Sequence, residues 1–161
     1  MRSDHEHLAA TPVADIRDAL ACMDDQSVKQ LRGENFITKV PHIFDSMFIG
    51  DAGISKPHAV LSGSEDCPEV RVALYNGHTK GTSEAAELAL AQLAMILLKV
   101  ARPVKLQPGD LAVINNYVSL HGRSSFAARY DGNDRWLQRL HVVDSLWPFR
   151  HLQKSSIRLL D

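Results

Sequence analysis

Apolar residues recur along this chain with two different periods, and the longer period is the clearer. Ala86, Leu90, Leu93, Leu97 and Val100 follow one another at spacings of four, three, four and three, one stripe of a 3.6-residue helix. Ser83 is placed to cap it, Glu84 and Glu87 complement the positive end of the helix dipole, and Lys99 stands near the other end. The pattern predicts a helix over Ser83–Ala101 lying across a sheet. Nearer the start, Val13, Ile16 and Leu20 share one face behind Thr11-Pro12, which predicts a helix running to about Met23. Asp24 and Asp25 open a second short helix, Gln26 to Leu31, which Gly33 stops.

The two-residue period marks strands. Asn35–Val40 reads as a short strand ended by Pro41, and residues 44–70 read as short strands between loops. Glu69–Tyr75 reads as another strand, followed by the turn dipeptide Asn76-Gly77. In Leu106–Asp110, Pro108 and Gly109 fit the central positions of a type II turn. Leu111–Asn115 then reads as a mostly buried strand, and Arg135–Val143 alternates as a further one beyond the Asp131-Gly132 turn. No internal repeat interrupts this order, so residues 1–161 are expected to form a single domain.

Composition narrows the function. The chain has 161 residues, 45% of them apolar and 23% charged, which excludes wholesale disorder. Its 18 Lys+Arg against 19 Asp+Glu supply no concentrated basic surface, so nucleic acid is not an expected partner. The longest apolar run, Leu88 to Leu98, is broken by Gln92 and falls short of the about 18 residues that a membrane span needs. Cys22 and Cys67 fit neither a disulfide framework nor a zinc pattern, which suits a cytoplasmic protein.

Candidate chemistry collects in the last third. On a strand beginning at Arg135, residues two apart share a face, so Arg135, Leu137, Arg139 and His141 point one way. Two guanidinium groups on one face of a buried strand need anions, and the planar fork suits a carboxylate. That makes a small-acid pocket beside a histidine one reading. Surface arginines paired with Asp110 or Asp131 are the other.

Pro108–Val143 resembles the C-terminal motif region of Fe(II)/2-oxoglutarate-dependent oxygenases, and within them the clavaminate synthase-like group of amino-acid hydroxylases. The residues that carry the likeness are Pro108-Gly109-Asp110, Asn115-Asn116, His121-Gly122-Arg123, Phe126, Arg129-Tyr130-Asp131-Gly132, Asp134-Arg135-Trp136 and Arg139. Weaker likeness runs back through the Thr82–Val100 segment to residue 1. The resemblance implies a mainly β fold with flanking helices, here part of a double-stranded β-helix or jelly roll. It implies Fe(II) as cofactor, 2-oxoglutarate as co-substrate and a small amino-acid-like substrate. His121 matches the distal iron ligand, and Arg135, fourteen residues later, matches the arginine that clamps 2-oxoglutarate. Arg139 matches a position facing the substrate's acid group. Thr11 stands where a threonine contacting 2-oxoglutarate is expected, or is simply a helix cap before Pro12.

One part of the pattern is missing. Iron in this family is held by a facial triad, in which an HxD/E motif joins the distal histidine. The residues two places after His5, His7, His42, His58, His78, His121, His141 and His151 are His7, Ala9, Phe44, Val60, Lys80, Arg123, Val143 and Gln153. None is acidic. The resemblance places the HxD/E motif ahead of Met1, so the chain is expected to be the C-terminal portion of the domain, with a non-catalytic, anion-binding remnant as the alternative. Relatives that take cationic or amide side chains place acidic groups near the strand before Asn76-Gly77. Val70–Asn76 has none, which argues against an arginine-like substrate.

Overall fold

The computed structural model describes residues 9–39, 53–143 and 145. In chain order the elements are β1 (Thr11–Asp15), α1 (Ile16–Leu20), α2 (Asp25–Arg32), β2 (Phe36–Thr38), β3 (Leu61–Gly63) and β4 (Pro68–Val70). They continue with β5 (Thr79–Gly81), α3 (Glu84–Val100), β6 (Arg102–Val104) and β7 (Ser119–His121). All the strand pairs are antiparallel: a three-stranded sheet in the order β6-β1-β7, and the two-stranded pairs β2-β5 and β3-β4. Sheets with flanking helices are therefore present. The described helices hold more residues than the described strands, and the strands do not close into a jelly roll.

The long helix has the expected limits. Ser83 Oγ accepts from Ala86 N–H at 3.2 Å, and the helix ends at Val100. Its inner face, Ala86, Ala89, Leu90, Leu93 and Leu97, is buried with Ile16 and Ala19 of α1, Leu31 of α2, Phe36 and Leu61. At Gly81 a Cβ would lie 2.5 Å from the Glu87 nitrogen, so only glycine lets β5 come this close to the start of α3. The second short helix is also as expected, capped by Asp24 through Ser27 N–H at 2.8 Å and ended by Gly33.

Thr11–Asp15 corrects the sequence reading. These residues form a strand, and the helix starts one residue after Asp15, whose side chain accepts from Arg17 N–H at 2.8 Å. Thr11 is therefore no helix cap. Ladders on both sides outweigh the local Pro-first helix signal, and both prolines fit the β6 side. Pro12 lies opposite Pro103, and Gly122 N–H, Ile16 N–H and Ser124 N–H donate to Pro12, Val118 and Ala10 carbonyls on the other side. Even-numbered residues of β1 thus bond toward β7. Pro12 and Pro103 face each other where no N–H is needed.

The C-terminal strands are a second correction. Among the described residues neither Leu111–Asn115 nor Arg135–Val143 enters a sheet, and Leu111, Val113, Leu140 and Val142 are each more than four-fifths exposed. Alternation defines two faces but provides no partner strand, and an extended chain with no ladder to join is not a strand. Of the expected Glu69–Tyr75 strand only Glu69 and Val70 lie in a paired strand, β4, and Tyr75–Gly77 is a tight turn with Asn76 at φ 49°. The Gln107–Asp110 turn is closed by Asp110 N–H donating to the Gln107 carbonyl at 3.0 Å, with Gly109 at φ 98°. Pro41 and residues 44–52 lie outside the described residues. Among the described residues no helix is long and apolar enough to cross a membrane.

Candidate functional site

The register of β1 against β7 builds the site. Val13 stands opposite His121, Ala14 opposite Leu120 and Asp15 opposite Ser119. Bonds linking 16 with 118 and 12 with 122 make 13–121 a non-hydrogen-bonded pair, the arrangement in which facing side chains come closest. Continuing the same ladder, 11 faces 123. Thr11, Val13, His121 and Arg123 therefore share one face of the sheet, while Ala14 and Leu120 on the other face pack toward the core.

On the first face lies a cavity of about 810 Å³. Its walls include Thr11, Lys105, His121, Arg123, Arg135 and Arg139, so all four residues singled out in the sequence reach one space. Lys105 and Arg123 were given no role from the sequence. The position of Arg123, two residues after His121 on the same strand face, is the signal that could have found it.

Charge in this cavity is one-sided. Four cationic side chains and His121 line it against one carboxylate, Asp110, whose Oδ2 accepts from Gln107 N–H at 2.8 Å. Arg135 is half-buried, and its Nη2 is shut off from solvent with no hydrogen-bond partner among the described residues. A buried N–H without an acceptor costs on the order of 1–3 kcal/mol. This is not an arginine paired on the surface. The excess positive charge on the cavity wall suits an acid, and a dicarboxylate in particular. Arg139 is exposed at the same wall and is free to meet a second acid group.

Iron fits these residues less well. His121 is exposed, and among the described residues no group of three His, Cys, Asp or Glu side chains could hold a metal ion. Among the described residues the cavity wall holds one imidazole, His121, and one carboxylate, Asp110.

A family model described as the taurine catabolism dioxygenase TauD, TfdA family matches residues 9–141, and the chain belongs to that family. Among characterised relatives, the L-asparagine oxygenase of Streptomyces coelicolor is 36% identical over 156 residues, covering 97% of this chain and 45% of the relative. Clavaminate synthase 2 of Streptomyces clavuligerus is 35% identical over 147 residues, covering 88% of this chain and 42% of the relative. A solved structure of asparagine oxygenase with Fe(II), 2S,3S-3-hydroxyasparagine and succinate superposes with a TM-score of 0.86 at 34% identity. It covers 96% of this chain and 47% of that one. The chain thus spans less than half the length of each of these three relatives.

Proposed function

We propose that this chain is the C-terminal portion of a jelly-roll Fe(II)/2-oxoglutarate-dependent oxygenase domain that hydroxylates a small amino-acid-like substrate. One observation carries the reading: Arg135, whose Nη2 is buried without a partner among the described residues, lines a cavity shared with Thr11 and His121. The parent reaction takes a C–H bond, O2 and 2-oxoglutarate to an alcohol, succinate and CO2. Arg135 grips the distal carboxylate of 2-oxoglutarate through its planar fork, and Thr11 contacts the co-substrate through its hydroxyl. Arg139 orients the carboxylate of the amino-acid substrate. His121 is one ligand of the metal, and the carboxylate and second histidine come from sequence outside these 161 residues.

The family likeness and the asparagine named for the L-asparagine oxygenase support this reading, and the shared cavity supports the residue roles that the resemblance implies. No step through the metal follows from the residues present, because two of three ligands are absent. Succinate release in the presence of Fe(II) and ascorbate tests the proposal. The 161-residue chain is expected to release none, and joining it to an upstream family segment that carries HxD/E is expected to start turnover. Robust turnover by the chain alone contradicts the ligand assignment. Failure of the joined protein to turn over, while it binds 2-oxoglutarate, favours the anion-binding remnant.

A further inference from the structure

Pro12 creates a weakness in the sheet that carries the site, and Ser124 is placed to repair it. The ladder between β1 and the chain around β7 pairs 16 with 118, 14 with 120, 12 with 122 and 10 with 124. In an antiparallel ladder each such pair normally exchanges two N–H···O bonds. Pro12 has no N–H, so the 12–122 pair keeps only the bond from Gly122 N–H to the Pro12 carbonyl, 2.9 Å long. This loss falls between Thr11 and Val13, beside the cavity.

The next pair is reinforced by a side chain. Ser124 N–H donates to the Ala10 carbonyl at 3.0 Å. Ser124 Oγ accepts from Ala10 N–H at 2.7 Å and reaches back to the Ala10 carbonyl at 3.2 Å. A hydroxyl thus accepts from the Ala10 amide, where a regular ladder would use the carbonyl of residue 124. Ala10 is 7% exposed, so water is poorly placed to substitute for that hydroxyl. Neither Ala10 nor Ser124 lines the cavity. Their neighbours Ala9, Thr11 and Arg123 do.

We infer that Ser124 is a positioning residue of the acid-binding cavity, holding Thr11 and Arg123 in register across the gap that Pro12 leaves. The inference rests on the reading of the cavity as the 2-oxoglutarate site. Ser124 does not touch the ligand and acts through the backbone of Ala10. Its hydroxyl, rather than its size, carries the effect.

Amide hydrogen exchange and 2-oxoglutarate titration of the 161-residue chain test this together. Ser124→Ala is expected to speed exchange at Ala10 and Gly122 by about tenfold, the usual scale for one lost buried bond, and to leave Ala14 and Leu120 unchanged. The same variant is expected to weaken 2-oxoglutarate by about tenfold, while Ser124→Thr, which keeps a hydroxyl, stays close to the parent. Ser83→Ala, a remote helix-cap variant, controls for general destabilisation and is expected to lower Tm without altering that affinity. Unchanged exchange at Ala10 in Ser124→Ala overturns the inference, as does parent-like 2-oxoglutarate affinity. If the parent chain binds no 2-oxoglutarate, the reading of the cavity fails and takes the ligand-positioning role with it, while the exchange result still decides whether Ser124 holds the register.

Discussion

Residues 9–101 and residues 102–143 share one sheet, β6-β1-β7, yet only the first stretch contains a core. Ile16, Ala19, Leu31, Phe36, Ala86 and Leu93 are fully sequestered there, whereas no described residue from Arg102 onward is buried. The second stretch carries His121, Arg135 and Arg139, and it is attached through the ladders that β1 makes with β6 and β7. Stability and candidate chemistry are thus separated along the sequence, and Thr11–Asp15 is the element that serves both. A chain arranged this way loses its site geometry without losing its fold.

Core substitutions should break that contrast most sharply. Leu93→Ala removes a side chain with no exposed surface, and urea melts are expected to show a loss of about 2–5 kcal/mol. Leu140→Ala, at an 86% exposed position, is expected to stay within about 0.5 kcal/mol of the parent. Equal losses would mean that the C-terminal stretch has a core of its own.

Association is the next largest effect. Leu98, Leu111, Val113, Leu140 and Val142 leave apolar surface uncovered, and β7 is an edge strand of its sheet. Size-exclusion chromatography at increasing concentration is expected to show self-association, relieved when the upstream segment carrying HxD/E is joined to the chain. A monodisperse, cooperatively melting 161-residue monomer would overturn the view of it as part of a larger domain.

What could be read from the sequence differs between the same two regions, for a physical reason. The limits of α2 and α3 were legible because capping side chains and helical periodicity are local properties, written within a few residues at Asp24, Gly33 and Ser83. Thr11–Asp15 was misread because its state is decided by Arg102–Val104 and Ser119–His121, far along the chain. Leu111–Asn115 and Arg135–Val143 alternate as strands should, but alternation cannot say whether a partner is present. At the site, His121, Arg135, Arg139 and Thr11 were recognisable through the resemblance and are brought to one cavity. Lys105 and Ser124 had no such signal, since a lone lysine in a loop and a serine after a histidine motif carry no spacing.

Smaller effects sharpen the picture at the helix starts. Ser83→Ala is expected to cost about 1 kcal/mol, measured by denaturant unfolding, by freeing the Ala86 amide. The side-chain bond from Arg17 lowers the Asp15 carboxyl below its usual 3.8, and the backbone bond from Ser27 lowers that of Asp24. Folded-state values below the unfolded ones mean that both carboxylates stabilise the fold above about pH 4. That contribution is lost as pH falls from there through the lowered folded values. Both groups are near the surface, so the effect is small: Asp24→Asn is expected to flatten the acid limb of Tm against pH slightly and leave Tm at pH 7 nearly unchanged.

Calorimetric titration of 2-oxoglutarate into the parent chain, Arg135→Ala and Arg135→Lys tests the central claim most directly. The parent is expected to bind. Arg135→Ala is expected to abolish binding, and Arg135→Lys to retain a weakened remainder, because a point charge replaces a two-pronged fork. Equal affinities in all three proteins, or no binding by the parent, would contradict the assignment of Arg135 and its cavity to the co-substrate.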